Sequence, residues 1–151
     1  MKLDEYDIDI KPDFQTFEFV SEGPKGKIKK VVQFTKITGL NTINDTYNLG
    51  FGDYDEGQGR IDDLVVSDNK DSEKVLFTVA AAVILFTNKY SKVSILAQGS
   101  TPARMRYYTI GISRYLQDIT GKFEIWGAIS QNDWEPFRKN MPYLALLANR
   151  K

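Results

Sequence analysis

The sequence predicts an α+β fold, an N-terminal antiparallel meander of three to four strands followed by helix, strand, helix, strand and a short C-terminal element. Two observations predict this order. Before residue 70, β-branched and aromatic runs alternate with Gly-rich or polar turns, and after it two long helical patterns alternate with short apolar runs. The length of 151 residues fits one domain, residues 1–151, in which two helices pack on a single sheet.

Strands in the first half are indicated by apolar residues at period two. The segment from Ser21 to Gly26 is a strong turn signal between two such runs and predicts a hairpin. Gly50 and Gly52 indicate a bulge or a close approach of another backbone. The predicted strands are Phe14 to Val20, Lys27 to Ile37, Thr46 to Tyr54 and Arg60 to Val66.

Two helices are predicted in the second half. The first begins at Asp71 or Ser72, reaches Tyr90 and is apolar nearly all round, so we expect it to be buried. The second has Pro102 at its first position and ends at Gly121. Around them we predict strands at Val93 to Ala97 and Phe123 to Ile129, and a turn or single helical turn at Asp133 to Phe137. Tyr143 to Leu147 fits either a strand or a helix, and its shortness and its position after Pro142 favour a strand.

The chain contains no His and no Cys, which narrows its chemistry. Without them there is no serine or cysteine triad, no thiol redox chemistry, no disulfide and no zinc site of the usual ligands. The sequence also lacks a P-loop and the G-x-G-x-x-G pattern, so nucleotide hydrolysis and dinucleotide binding are poorly supported. We therefore expect no catalytic residue set and no cofactor.

Charge is balanced overall but uneven along the chain. Residues 1–70 hold 9 basic and 14 acidic residues, a net of −5, and residues 71–151 hold 11 and 6, a net of +5. This split permits an acidic face and a basic face on one domain. The N-terminus lacks the apolar core of a secretory signal, and the longest apolar run, Val75 to Phe86, is too short for a bilayer. The sequence thus predicts a cytoplasmic protein with no membrane association.

The junction between the strand at Val93 and the second helix is the first candidate site. A glycine, two hydroxyls and a helix N-terminus with two arginines can bind an anion or a phosphate through backbone N–H groups and positive charge. The alternative is an ordinary capped helix whose arginines pair with the acidic half of the protein. The candidate anion-binding residues are Gly99, Ser100, Thr101, Arg104 and Arg106.

Acidic residues near the end of the meander are weaker candidates, for a divalent cation. The segment from Asp53 starts like a calcium loop, but Leu64 stands where a bidentate Glu is needed. The alternative is a solvated hairpin tip, since turns collect Asp and Gly for conformational reasons. The weak metal candidates are Asp53, Asp55, Asp62 and Asp63.

The predicted order also resembles that of ribonuclease-H-like domains, whose nucleases need carboxylates on the first strand, the first helix and the end of the fourth strand. The corresponding positions hold Glu18, Glu73 and Gln98, so one acid is missing and two-metal catalysis is not supported. A nucleic-acid surface is a further minority interpretation, because the overall charge is zero. It would use the mixed basic and aromatic residues Arg104, Arg106, Tyr107, Tyr108, Arg114 and Tyr115.

Five segments spread along nearly the whole chain carry a family resemblance. They are Phe19 to Val32, Tyr47 to Asp53, Asn69 to Asp71, Gly99 to Arg104, and Trp134 to Phe137. Together they resemble a family of small bacterial proteins classed as a domain of unknown function. The resemblance implies a stand-alone bacterial domain of roughly 150 residues, and it brings no established activity or catalytic residue.

Two functional hypotheses follow from the sequence. The favoured one is a non-enzymatic interaction module, of a toxin–antitoxin or stress-related kind, which uses its acidic hairpin or basic helix to bind a protein partner or a second copy. The other is a phosphate-, nucleotide- or nucleic-acid-binding protein or enzyme centred on the junction from Gly99 to Arg106.

Overall fold

The computed structural model describes residues 5–38, 45–62, 69–99, 101–119 and 121–151, with only part of the side chains between 102 and 119. Its helices are α1 (Ser72–Lys89) and α2 (Pro102–Ser113), and α2 continues as a π-helical segment (Arg114–Ile119). Its strands are β1 (Asp9–Ile10), β2 (Thr16–Gly23), β3 (Gly26–Ile37), β4 (Asp45–Asp55), β5 (Arg60–Asp62), β6 (Val93–Ala97), β7 (Phe123–Ser130), β8 (Asp133–Pro136) and β9 (Ala145–Arg150).

Within these residues, nine strands form one mixed sheet in the order β1-β2-β3-β4-β6-β9-β7-β8, with β5 paired to β4 beside this path. All neighbouring strands are antiparallel except β4 and β6, which run parallel because the chain crosses over through α1 between them. β9 lies between β6 and β7 and pairs with both. The two parts of the sheet are thus joined by its C-terminal strand.

Both helices cover one face of this sheet, which we call the inner face. α1 buries side chains nearly all round, from Val75 to Thr87, as its unbroken apolar pattern predicts. The ring of Phe86 stacks on that of Phe34 in β3, with ring centroids 4.2 Å apart. Alternate residues of β2, β3, β4, β6, β7 and β9 complete the core, together with Met105, Tyr108 and Leu116.

The hairpin predicted at Ser21 to Gly26 is confirmed. β2 and β3 pair in continuous register from Thr16 with Gln33 to Gly23 with Gly26. Gly26 has φ of 89°, a conformation that favours glycine.

The predicted fold class, however, is wrong. The described residues form one mixed sheet of nine strands with a single long helix. This differs from a helix-strand-helix-strand arrangement with two packed helices. The second helical pattern gives only 12 α-helical residues before the 6-residue π-helical segment. The sheet grows because β9 pairs with β6 and with β7 over long sequence separations, which local periodicity does not report.

Individual elements also change. Asp133 to Phe137, predicted as a turn, contains the edge strand β8, where Pro136 is tolerated because an edge position needs fewer backbone donors. β1 has no counterpart in the prediction. The predicted strand Arg60 to Val66 is seen as β5 only up to Asp62, and its remainder lies outside the described residues.

The ribonuclease-H-like order is overturned as well. β6 pairs with β4, the last long strand of the meander. Glu18 lies between the inward residues Phe17 and Phe19, so its side chain is on the face opposite α1, which carries Glu73. Gln98 is exposed beyond β6. The carboxylates that such a nuclease needs therefore do not converge.

Candidate interaction surface

The face of the sheet opposite the helices, the outer face, carries a row of large apolar side chains. Leu147 in β9 pairs with Leu96 in β6 and with Trp126 in β7, and paired residues point to the same face. In the next row, Ala128 pairs with Trp134 in β8. The outer-face patch, as we name this surface, consists of Leu96, Trp126, Ala128, Trp134, Pro136, Ala145 and Leu147.

No helix or strand in the described part of the chain covers the patch. Both helices direct their buried side chains into the inner-face core, and the described residues contain no further helix. The Trp134 side chain is 37% exposed, and Leu96, Trp126 and Leu147 are half-buried against one another. Both tryptophans of the chain lie in the patch. Tryptophan on an uncovered sheet face is typical of a contact surface.

Neutral polar residues surround the patch. Ser94 in β6 pairs with Asn149 in β9, and the Ser94 hydroxyl donates a 2.5 Å hydrogen bond to the Asn149 side-chain oxygen. Thr35 and Asn48 pair on the β4 side. Three rows of paired residues cross the described outer face here, each row running from strand to strand through residues that pair with one another. Glu124 is the only charged residue in these three rows. The surface is therefore nearly free of charge.

Edge strand β8 discourages the addition of another strand. It has four residues and ends at Pro136, whose nitrogen cannot donate a hydrogen bond. Arg138 forms two hydrogen bonds of 2.7 and 2.8 Å to the Glu135 carboxylate. This hydrogen-bonded guanidinium holds the pKa of Glu135 below its usual value. A partner at this end of the molecule would thus contact the outer face rather than the edge.

Two glycines of β4 differ in their surroundings. The pairing of β3 with β4 runs in register through both, so neither marks a bulge. At Gly52, a Cβ atom would lie 2.5 Å from the carbonyl oxygen of Asp62, which confirms the predicted close approach. At Gly50, the nearest atom to a Cβ would be the carbonyl oxygen of Gln33, at 3.4 Å. Because Gly50 has no side chain, it leaves a shallow recess among the described residues of the outer face.

The predicted anion-binding junction is only partly described. Ser100 lies outside the described residues, and so does the side chain of Arg104. Thr101 and Arg106 are exposed at the start of α2. The backbone N–H of Gly99 donates to the sulfur of Met105, 3.4 Å away, so one of the predicted anion donors already has a partner.

The acidic hairpin shows structural roles for two of its weak metal candidates. Asp53 forms an ion pair with Lys30 in the sheet interior, with side chains 14% and 8% exposed. Asp55 accepts hydrogen bonds from the N–H groups of Gly57 and Gln58, at 2.9 and 3.2 Å, and so shapes the turn. Asp62 belongs to β5, and Asp63 lies outside the described residues. Among the residues described, no group of three or more His, Cys, Asp or Glu could hold a metal ion.

The basic and aromatic residues of the second helix point in different directions. Arg106 and Arg114 are exposed, whereas Tyr108 and Tyr115 belong to the core. Burial raises the pKa of Tyr115. The side chains of Arg104 and Tyr107 are outside the described set. The described tyrosines are thus packing residues rather than exposed stacking platforms.

A polar network, which the sequence did not predict, ties the N-terminal segment to the start of α1. Asp71 accepts hydrogen bonds from the hydroxyls of Tyr6, at 2.6 Å, and Ser21, at 2.5 Å. The buried Asn69 side chain donates to Ser21 at 3.1 Å and to the carbonyl oxygen of Gly26 at 2.9 Å. Asp71 occupies the N-cap position of α1 but makes no side-chain cap bond, because its carboxylate serves this network.

A groove of about 680 Å³ lies beside this network, between the N-terminal segment and β2. Its lining is of mixed charge. Glu18 is 3.2 Å from Lys29 and 3.3 Å from Lys11, and the Lys74 ammonium lies 4.2 Å from the centre of the Tyr6 ring. These charges are matched within the chain.

Sequence reasoning missed the outer-face patch, although a signal for it is present. Ile95 to Ala97 and Ala145 to Leu147 are apolar on both faces, as strands buried on both sides are. In this fold helices cover one face only, so the second apolar face is left open. Trp126 shows the same mismatch, since it alternates with the core residues Phe123 and Ile125 at the outward position.

Comparisons with known proteins give a family and no activity. None of the helices in the described part of the chain has the length and apolarity of a membrane span. Neither the curated proteins nor the solved structures that were compared with the chain gave a match. A family model, DUF6934, described as a family of unknown function, matches residues 2–151. The chain therefore belongs to this family of unknown function.

Proposed function

We propose that this protein is a non-enzymatic interaction module that binds a protein partner through the outer-face patch. The observation that carries the proposal is the one-sided sheet, with helices on the inner face and Leu96, Trp126, Trp134 and Leu147 on the other. An antiparallel sheet that faces water normally presents polar residues there. An apolar face surrounded by neutral polar residues matches the centre and rim of a protein interface.

The two tryptophans supply the expected anchors. Tryptophan is enriched among the few residues that dominate interface energies, because it buries a large rigid surface at low entropic cost. Trp134 is the more exposed of the two and stands on the edge strand β8. Its replacement by a charged residue should weaken binding without disturbing the core.

Affinity capture from the organism of origin tests this proposal. Three baits are compared: the wild type, Trp134→Lys, and Val20→Lys as the matched control. Val20 is 42% exposed against 37% for Trp134, and it lies on β2, away from the patch. We expect a protein partner to be enriched by the wild type and by Val20→Lys, and to be reduced at least tenfold by Trp134→Lys. Equal enrichment by all three baits, or no enrichment by any bait together with a purified chain that does not self-associate, would contradict the proposal. Circular dichroism and thermal unfolding of each bait serve as the control that the bait is folded.

A second candidate function, recognition of phosphate or nucleic acid at the Gly99 to Arg106 junction, is favoured by the exposed Thr101 and Arg106 at a helix start. Its test is titration with a nucleotide and with a labelled oligonucleotide. Salt-dependent binding that falls at least tenfold in Arg104→Ala supports it. Binding that is absent, or equal in both proteins, removes it.

A further inference from the structure

We propose that the occupant of the outer-face patch is a second copy of this chain, stacked face to face about a two-fold axis along β9, with Trp134 of each copy above Gly50 of the other. This inference rests on the proposed function and names its partner. It begins from the strand order, since β9 is the middle of the five strands β4-β6-β9-β7-β8.

A two-fold axis along β9 exchanges the strands on either side of it. β7 of one copy then faces β6 of the other, and β8 faces β4. Each row of paired residues keeps its position along the strand direction, so it faces the same row of the second copy. Leu147 meets its own symmetry mate, and Trp126 meets Leu96 of the second copy. Such self-complementarity is what an isologous interface requires. Packed sheets of this kind lie about 10 Å apart.

The same operation brings the most exposed part of the patch over the recess in the sheet. Ala128 pairs with both Trp134 and Ala145, so these three residues lie in one row. When the pairing of β9 with β6 and of β6 with β4 is continued by one residue, the same row reaches Gly50 on the far side of β9. The indole of Trp134 protrudes, and Gly50 has no side chain to occupy the space above it. A protruding ring and a Cβ-free position thus lie at equal distances from the axis, two strands away on each side.

Electrostatics also favours a second copy. The chain has a formal net charge of zero, so two copies are not driven apart at long range. Glu124, the only charge in the paired rows described across the patch, is moved by the axis to a position over Ser94 of the second copy. No two like charges in these rows are brought together. A strongly charged partner would find nothing in them to pair with except Glu124.

The size of the surface sets the expected strength. Five strands spaced about 4.8 Å apart and three rows about 6.8 Å apart give a footprint on the order of 300–500 Å². A standard stable interface buries about 800 Å² per partner. We therefore expect a reversible dimer that dissociates at micromolar concentrations.

Sedimentation equilibrium of the purified chain, from roughly 1 µM to roughly 1 mM, tests the inference together with tryptophan emission. Because both tryptophans lie in the patch, their emission reports its burial directly. We expect the average molecular mass and the blue shift of the tryptophan emission to increase together as the protein concentration is raised. Gly50→Val fills the recess and Leu147→Lys places two like charges on the axis, so each should weaken association at least tenfold. Val20→Lys, on β2 and outside the patch, should leave it unchanged.

Gly50→Val keeps the test decisive if Leu147→Lys fails to fold, since valine suits a strand and the one described atom near a Cβ at Gly50, the carbonyl oxygen of Gln33, lies at an ordinary contact distance of 3.4 Å. A chain that stays monomeric throughout overturns the inference. In that case, loss of a captured protein by the Trp134→Lys bait would still uphold the proposed function with another occupant. Self-association without an emission shift, or insensitive to Gly50→Val, also overturns the inference, because the copies would then meet through a different surface.

Discussion

Removal of the Tyr6 hydroxyl tests whether the polar network at the start of α1 holds the N-terminal segment in place. In Tyr6→Phe the ring can keep its stacking on Phe19, whose ring centroid is 5.8 Å away. The variant loses the 2.6 Å hydrogen bond to the Asp71 carboxylate and leaves the Glu22 N–H, 3.0 Å away, without this acceptor. The substitution therefore isolates the hydroxyl from the rest of the side chain.

The expected loss in the free energy of unfolding follows from the type of hydrogen bond that is removed. A hydrogen bond to a charged group contributes about 1.5–3 kcal/mol, and partial exposure of this site moves the value toward about 1–2 kcal/mol. For a chain of this length, 1 kcal/mol corresponds to about 2–4 °C in Tm. We expect Tyr6→Phe to unfold roughly 2–8 °C below the wild type in differential scanning calorimetry.

The pH dependence gives an independent readout. Burial and the neighbouring Asp71 raise the pKa of Tyr6 above its ordinary value. The folded pKa thus exceeds the unfolded one, so the stability that this shift contributes is complete below about pH 10 and is lost as the pH rises through the folded pKa. The difference between wild type and Tyr6→Phe should shrink above pH 10. Tyr54→Phe, which removes a hydroxyl outside this network, is the control. A Tm unchanged within about 1 °C at pH 7 would refute the assigned role of the hydroxyl.

Three further predictions concern the interior of the molecule. Gly127→Ala should cost about 1–3 kcal/mol in urea unfolding, because the new Cβ would lie 2.4 Å from the Tyr143 ring; full wild-type stability would contradict this contact. Asp53→Ala should cost about 3–5 kcal/mol by removing the carboxylate that pairs with the buried Lys30 ammonium, whereas the double variant with Lys30→Met should recover much of that loss; strictly additive costs would show no coupling. Phe86→Ala should cost about 3–5 kcal/mol by chemical denaturation, because it empties the centre of the core, and a cost below 1 kcal/mol would contradict that position.

Local features of the fold were predictable where a short segment decides them. The turn from Ser21 to Gly26 sets the β2–β3 hairpin through its own conformational preferences. The continuous apolar run from Val75 predicts a buried helix, because only a helix covered on most sides stays apolar all round. These are statements about neighbours in sequence.

The sheet order was not predictable in this way. β9 enters between β6 and β7, and pairing over such distances depends on the competition of whole strands for each edge. β8 was missed because Pro136 and the turn-forming Asp133 suggest a loop, although a strand at the edge of a sheet tolerates both. The predicted fold class was wrong because these long-range strand pairings enlarge the sheet.

The candidate surface depended on the same information. The apolar residues of β6 and β9 were visible in the sequence, but which face each one occupies follows from register. Leu147 could have been assigned to a core in a sheet covered on both sides. Arg106 and Thr101, chosen from local pattern alone, are exposed at the helix start, and their role in anion binding stays a prediction.

The position of β9 also constrains how this molecule can be synthesised and cut. Until residues 145–150 have left the ribosome, no described strand joins the β7–β8 hairpin to the strands from β1 to β6 by backbone hydrogen bonds. The described sheet therefore remains in two parts that are connected only along the chain. Loss of this strand by proteolysis would not trim an edge but would open the sheet in the middle. A synthetic peptide of the β9 sequence, added to a chain that ends before it, should therefore restore the native assembly in trans.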